Sequence, residues 1–227
     1  MGNYVVATTK SWNIDNFFKF KSKYPKEAFF LITDKENLTK ACLDEKKPEY
    51  VFFPHWSWMI PPEIFENYKC VVFHMTDLPF GRGGSPLQNL IVRGIYETKI
   101  SAIVVEQGLD TGAVYFKEPM NISDGNADEI LSKISDIVFE KMIPRFIGNN
   151  PEPCEQVGDP VVFKRRKPSD SEIPDGLSQK QLYDYIRMLD GEGYPTAYKD
   201  VGDVRIYFRN AKLENDTVTA ETTIVRR

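Results

Sequence analysis

The chain is predicted to fold as an α/β protein: a mainly parallel sheet with helices on both faces, plus a short C-terminal α+β subdomain. Three observations carry this. Apolar runs at residues 4–8, 29–32, 50–53, 70–73 and 100–105 recur through the first half of the chain. They are continuous rather than alternating, as strands covered on both faces are. Stretches with helical spacing separate them, the pattern of right-handed βαβ units. With 227 residues, 41% of them apolar and 13% aromatic, the chain can bury a sizeable core.

Ser11 is placed to N-cap a first helix with Ile14, Phe17 and Phe18 on one face. Residues 38–43 read as a short helix. Asn126 and Glu129 form a capping box, opening a helix whose stripe is Ile130, Ile134, Ile137, Val138 and Met142. That stripe reads as core packing, and Pro144 should end or kink the helix. Pro151, Pro153, Gly158 and Pro160 punctuate the next stretch of chain. A boundary after residue 150 divides the chain into 1–150 and 151–227. Ser178 and Gln181 make a second capping box, before a helix carrying Leu182, Ile186 and Leu189. Residues 204–208 and 217–225 alternate as a hairpin would.

Charge and cysteines narrow the function classes. Lys+Arg number 29 against Asp+Glu 33, a net charge of −4, which argues against a large nucleic-acid partner. The run Lys164-Arg165-Arg166-Lys167 reads either as a solvated face or as a contact for a phosphorylated ligand. Cys42, Cys70 and Cys154 are odd in number and form no metal or redox spacing, so reduced thiols in a cytoplasmic protein are expected. No leader pattern and no apolar run of about 18 residues is seen, so no membrane association is expected. Val6 stands where N-myristoylation wants Ser or Thr.

Chemistry concentrates at residues 74–86, HMTDLPFGRGGSP. His74 ends an apolar strand and enters a glycine-rich loop, as reactive groups do at the carboxyl ends of α/β strands. Asp110, in Gly-Leu-Asp-Thr-Gly, stands 36 positions further on and also after a strand. A His–Asp pair suits proton transfer near neutral pH. Read from the residues alone, His74 can equally be structural and Asp110 a turn residue. The loop lacks the Gly-Lys-Ser/Thr of a P-loop, and Pro86 stands where a dinucleotide fingerprint wants its last Gly. No Gly-x-Ser-x-Gly elbow occurs. His55 and His74 lack a ligand cluster, so no metal is expected.

His74-x-Thr76-x-Leu78-Pro79-x-x-Arg82-Gly83 with Pro86, and then Gly108-Leu109-Asp110-Thr111-Gly112, resembles the paired signatures of folate-dependent formyltransferases. Ile186-Arg187-Met188-Leu189 and Gly193-Tyr194-Pro195 resemble their C-terminal segment. The resemblance implies a Rossmann-like catalytic domain and 10-formyltetrahydrofolate as formyl donor, without a metal. It implies His74 and Asp110 as catalytic residues of an Asn–His–Asp triad. The Asn position is Val72 here, which cannot donate a hydrogen bond. It places the pterin against Trp56, Trp58, Met59 and Ile60, with Val105, Gly108 and Asp110 as the opposite wall. The tryptophans can also be core. His55, Thr76, Asp77, Arg82 and Gly83 fall on the substrate side, Asp77 as an amine-binding carboxylate or a solvated loop residue. Among family members the chain looks most like sugar N-formyltransferases of the pseudaminic-acid type. The expected acceptor is then the amine of a nucleotide-linked amino-dideoxy sugar, with no nucleic acid and room for a homodimer. An aminoacyl group on a carrier protein or on methionyl-tRNA is the alternative, and a non-catalytic folate-binding homologue is a third reading.

Overall fold

The computed structural model describes residues 2–227. The elements are β1 (Asn3–Ala7), α1 (Ser11–Ser22), β2 (Ala28–Ile32), α2 (Lys40–Lys46), β3 (Tyr50–Pro54), α3 (Pro62–Phe65), β4 (Cys70–His74), β5 (Phe80–Gly83), α4 (Pro86–Val92), β6 (Glu97–Val104), β7 (Val114–Asn121), α5 (Ala127–Ile137), β8 (Val161–Phe163), α6 (Gln179–Arg187), β9 (Ala197–Val201), β10 (Val204–Glu214) and β11 (Thr217–Arg226). The main sheet has the order β2-β1-β3-β4-β6-β7. β1 to β4 are parallel. β6 runs antiparallel to β4, with His74 opposite Ser101 and Val71 opposite Val104. The fifth apolar run is therefore a reversed strand. An unbroken apolar run reports burial on both faces, and direction leaves no trace in it. β7, unmarked by any such run, closes the edge as a hairpin with β6: Val104 N–H donates to Ala113 O at one end and Ile122 N–H to Tyr96 O at the other.

Alternate residues of each strand serve opposite layers. Val5, Ala7, Val51, Phe53 and Cys70 join Leu38, Leu43, Ile60 and Ile64 in one core cluster. On the other face Phe146 meets Tyr50 at 5.0 Å and Phe52 at 5.3 Å, and Phe20 meets Phe139 at 5.8 Å. Burying such rings contributes roughly 1.5–3 kcal/mol each. Successive strands switch sides of β1, and the exits of β1 and β3 are tied together there. Asn13 Nδ2 donates to Thr8 Oγ1 and to Pro54 O, each at 3.0 Å.

The capping boxes form as the sequence requires. Asn126 and Glu129 exchange side-chain-to-backbone hydrogen bonds, as do Ser178 and Gln181. Ser11 instead lies inside α1, whose N-cap residue Lys10 makes no side-chain capping hydrogen bond. Ahead of Pro144 the helix widens to a π turn at Val138–Met142 and tightens to a 3₁₀ turn at Ile143–Arg145. Proline lacks an N–H and its ring crowds the preceding turn, so the ladder changes pitch there.

The chain separates into two compact units, residues 1–82, 99–120 and 132–162 in one and 83–98, 121–131 and 163–227 in the other. The second is thus not the tail alone. Within it, Gln88 Nε2 donates to Met188 O at 3.0 Å and Ala127 N–H to Asp190 O at 3.1 Å. Its sheet has the order β11-β10-β9. Arg187, 1% exposed, anchors this unit: Nε donates to Asp184 at 2.6 Å, Nη1 to Gly125 O at 2.9 Å and Nη2 to Ile122 O at 3.0 Å. Removing one partner of a buried ion pair costs about 3–5 kcal/mol. Arg187→Met should lower stability by that amount in denaturant titration, and a loss under about 1 kcal/mol would contradict the anchoring role.

Candidate active site

β4 presents Cys70, Val72 and His74 on one face, two residues apart. The first belongs to the core cluster, the second packs against it, and the third carries an imidazole. His74 is 8% exposed. Its Nε2 lies 2.8 Å from Gly81 O. A carbonyl oxygen only accepts, so Nε2 carries the hydrogen and Nδ1 forms the other edge of the ring. That edge faces Asp110, whose Oδ1 is 3.5 Å from Nδ1. The sequence-predicted catalytic pair is thus in contact.

Asp110 arrives by a route that the strand pattern does not show. Because β6 is reversed, it leaves the sheet at the start of β4, where Val105 N–H donates to Cys70 O at 3.0 Å. The chain then doubles back, and Asp110 takes a left-handed conformation with φ +56°. Aspartate tolerates that region better than most residues. Its carboxylate ends 11% exposed beside His74.

The other predicted residues divide. Thr76 is fully buried; its hydroxyl donates to Gly81 O at 3.2 Å and its carbonyl accepts from Ser101 Oγ at 2.7 Å. It braces the loop rather than facing a ligand. Asp77 ion-pairs with Lys99 at 2.9 Å and with Lys117 at 2.5 Å, so its carboxylate is already engaged. Burial raises its pKa, but the two lysines outweigh that and hold it below the usual carboxylate range. Gly83 packs on Phe163, where an added Cβ would stand 2.4 Å from the carbonyl oxygen. Its role is the close approach of β5 to β8. Ile60 is 8% exposed within the core cluster, so it offers a ligand no side-chain surface. Trp56 and Val105 pack, partly buried, against that same cluster, as Val72 does. Trp58 lies edge-on to Trp56 at 4.9 Å, and Met59 is 77% exposed. Trp56 Nε1 is buried without a hydrogen-bond partner. Gly108 lies against Thr111.

Gln156 is a residue that sequence reasoning missed. Its Oε1 accepts from Arg82 Nε at 3.1 Å and Nη2 at 2.8 Å, and its Nε2 donates to Asp110 O at 2.9 Å and Gly112 O at 2.8 Å. It sits among prolines and glycines that read as a linker, and no spacing rule ties it to the loops it touches. A cleft of about 300 Å³ lined by Glu49, Tyr50, Tyr68, Lys69, Asn149 and Asn150 lies at the amino ends of β3 and β4, the far end from His74. Its groups are engaged with one another: Lys69 Nζ and Tyr50 Oη both donate to Asn150 Oδ1. Among the described residues no cluster of metal-binding side chains occurs, and no helix is long and apolar enough to cross a membrane.

A buried imidazole at a strand exit, in contact with a largely buried carboxylate and beside a glycine loop, is an arrangement that can support proton-coupled group transfer. The family model described as formyl transferase matches residues 20–147, and one described as methionyl-tRNA formyltransferase, C-terminal domain, matches residues 168–225. The chain belongs to the formyl transferase family. Over 179 residues it is 29% identical to methionyl-tRNA formyltransferase of Endomicrobium trichonymphae, covering 74% of this chain and 57% of that one. Over 170 residues it is 26% identical to the enzyme of that name from Thermodesulfovibrio yellowstonii, covering 72% and 54%. The chain therefore spans little more than half the length of these curated relatives. A solved structure named methionyl-tRNA formyltransferase from Clostridium thermocellum matches over 100% of both chains at 51% identity with a TM-score of 0.97. A sugar N-formyltransferase from a Shewanella species covers 92% of this chain and 97% of its own at 15% identity with a TM-score of 0.69, a likeness of fold alone. These findings overturn the expected nucleotide-sugar partner and the expected absence of nucleic acid. The relatives that share sequence carry a tRNA substrate in their names. A whole-chain net charge of −4 averages over local surfaces and so is no guide to the partner.

His55 gives this region a pH signature. It follows β3 with φ +53° and meets Trp12 edge-on at 6.1 Å. Burial, helped by the charge of Lys10, pushes its pKa from 6.5 down to about 4. Between those values the unfolded chain binds a proton that the folded chain refuses. Stability attributable to His55 is therefore complete above about pH 6.5 and falls as pH drops toward 4, with a slope approaching about 1.4 kcal/mol per pH unit. His55→Asn, which keeps a side chain tolerant of positive φ, should flatten the stability–pH curve in that window. An unchanged slope would contradict the assignment.

Proposed function

We propose that the chain transfers a formyl group from 10-formyltetrahydrofolate to the α-amino group of methionyl-tRNA, with His74 and Asp110 as the catalytic residues. The observation that carries the chemistry is the buried His74–Asp110 contact at 3.5 Å within both family motifs. The acceptor is supported by the 51% identity, over the whole chain, to a structure named for that substrate.

The residues present fit a flat folate ring. Trp56, Val72 and Val105 each pack, partly buried, against the same core cluster, and the orphaned Trp56 N–H is a donor in want of an acceptor. Trp56 and Val105 would hold the ring, with the backbone of residues 55–61 and 105–110 at its edges. When bound, the cosubstrate supplies an activated formyl carbon. Asp110 and the Nδ1 edge of His74 would receive the proton that the attacking amine must lose and return it to the folate nitrogen as its bond to the formyl carbon breaks. Gly81 O fixes the opposite edge, so the imidazole cannot turn away while it carries that proton. Val72 supplies no hydrogen bond, so negative charge on the formyl oxygen would fall to nearby backbone N–H groups, and to the imidazole only once Nδ1 has gained its proton.

His74→Ala and Asp110→Asn should each lower the rate of formyl transfer to methionyl-tRNA by about 10²–10⁴-fold, the usual contribution of a placed acid–base group. Thermal unfolding should stay within a few degrees of wild type. Retention of more than a tenth of the rate in both variants would sink the catalytic assignment. The acceptor is checked by offering methionyl-tRNA and, separately, nucleotide-linked amino sugars with the same donor. Transfer to the sugars alone would refute the tRNA reading while leaving the formyl chemistry in place.

A further inference from the structure

We infer that Gln156 is a positioning residue for formyl transfer: its carboxamide latches the Asp110 loop to the His74 loop and so sets the distance between the reacting pair. This rests on the reading of His74 and Asp110 as the formyl-transfer site.

Connectivity assigns the role. A carboxamide has two N–H donors and one oxygen with two lone pairs. Gln156 uses all four: the N–H groups go to Asp110 O and Gly112 O, and the oxygen takes Nε and Nη2 of Arg82. Arg82 follows Gly81 in the chain, and Gly81 O holds His74 Nε2. The far edge of the same imidazole faces Asp110. A closed ring results, running from His74 through Gly81, Arg82, Gln156 and Asp110 and back to His74. Deleting the amide opens this ring between Arg82 and Asp110.

Both ends of the latch are seated. Cys154 exchanges N–H···O bonds with Val114 at 2.8 and 2.9 Å, and Val161 N–H donates to Pro79 O at 3.2 Å, so the segment bearing Gln156 is pinned on either side. On the loop, Gly112 lies so close to β6 that an added Cβ would stand 1.9 Å from Val104 O. The left-handed turn at Asp110 thus sits between an amide clamp and a tight backbone approach. Left-handed backbone at a non-glycine residue persists only where its surroundings hold it. Gln156 touches neither reacting atom, so its effect is on geometry, and a misplacement of about 1 Å costs on the order of 10²-fold in rate.

Two substitutions separate the halves of the latch. Gln156→Met removes both halves at similar volume. Gln156→Glu keeps an acceptor for Arg82 but aims carboxylate oxygen at two carbonyls. Each should lower kcat by about 10–100-fold, with KM for donor and acceptor within about threefold and thermal unfolding within a few degrees. Because the chain has 2 histidines, long-range ¹H–¹⁵N spectra resolve both imidazoles. The His74 signals should move in both variants while those of His55 stay, a readout that needs no activity. A kcat within twofold of wild type, a loss carried by KM alone, or His74 signals unchanged in both variants would overturn the proposal. If wild-type protein transfers no formyl group to any acceptor, the functional reading fails, and the spectra still decide whether Gln156 positions the pair.

Discussion

The hydrogen bond from His74 Nε2 to the Gly81 carbonyl, 2.8 Å long, is the contact on which the site depends. It fixes the tautomer, turns Nδ1 toward Asp110, and is made inside a largely buried volume where an unpaired ring nitrogen would be costly. The loop after β4 is shaped to supply that carbonyl. Thr76 donates to the same oxygen, Ser101 holds the Thr76 carbonyl, and β8 pairs with the outgoing strand β5. The glycines and the arginine of that loop are therefore structural members of the site, each placing a backbone group or a neighbouring side chain.

Charge is arranged to leave one working carboxylate. Asp77 stands three residues beyond His74 but is neutralised by Lys99 and Lys117. His55 is kept neutral at ordinary pH by burial and by Lys10. Asp110 remains as the carboxylate in contact with the imidazole. The arrangement thus offers one defined histidine–carboxylate pair at this loop. Trp56, Val72 and Val105 pack, partly buried, against the core cluster under α2 and α3. Ile60, read from the sequence as a ligand contact, is a buried member of that cluster.

Periodicity and capping chemistry determined much of the architecture from the sequence. The positions of strands β1 to β4, the capping boxes at Asn126 and Ser178, and the disruption before Pro144 all arise from local rules that act within a few residues. The contact pair His74 and Asp110 was legible as a candidate site because the motif that holds each is contiguous. Direction, pairing and long-range hydrogen bonds were not. The reversal of β6 is invisible in an apolar run, and it decides that Asp110 reaches His74 by doubling back along the sheet rather than by standing at a neighbouring strand exit. The engagement of Asp77, the inward turn of Ile60 and the four bonds of Gln156 each join residues far apart in the chain. Only a folded backbone brings such partners within hydrogen-bond distance, so the tertiary structure alone decided which polar residues of the loops hold the loops still.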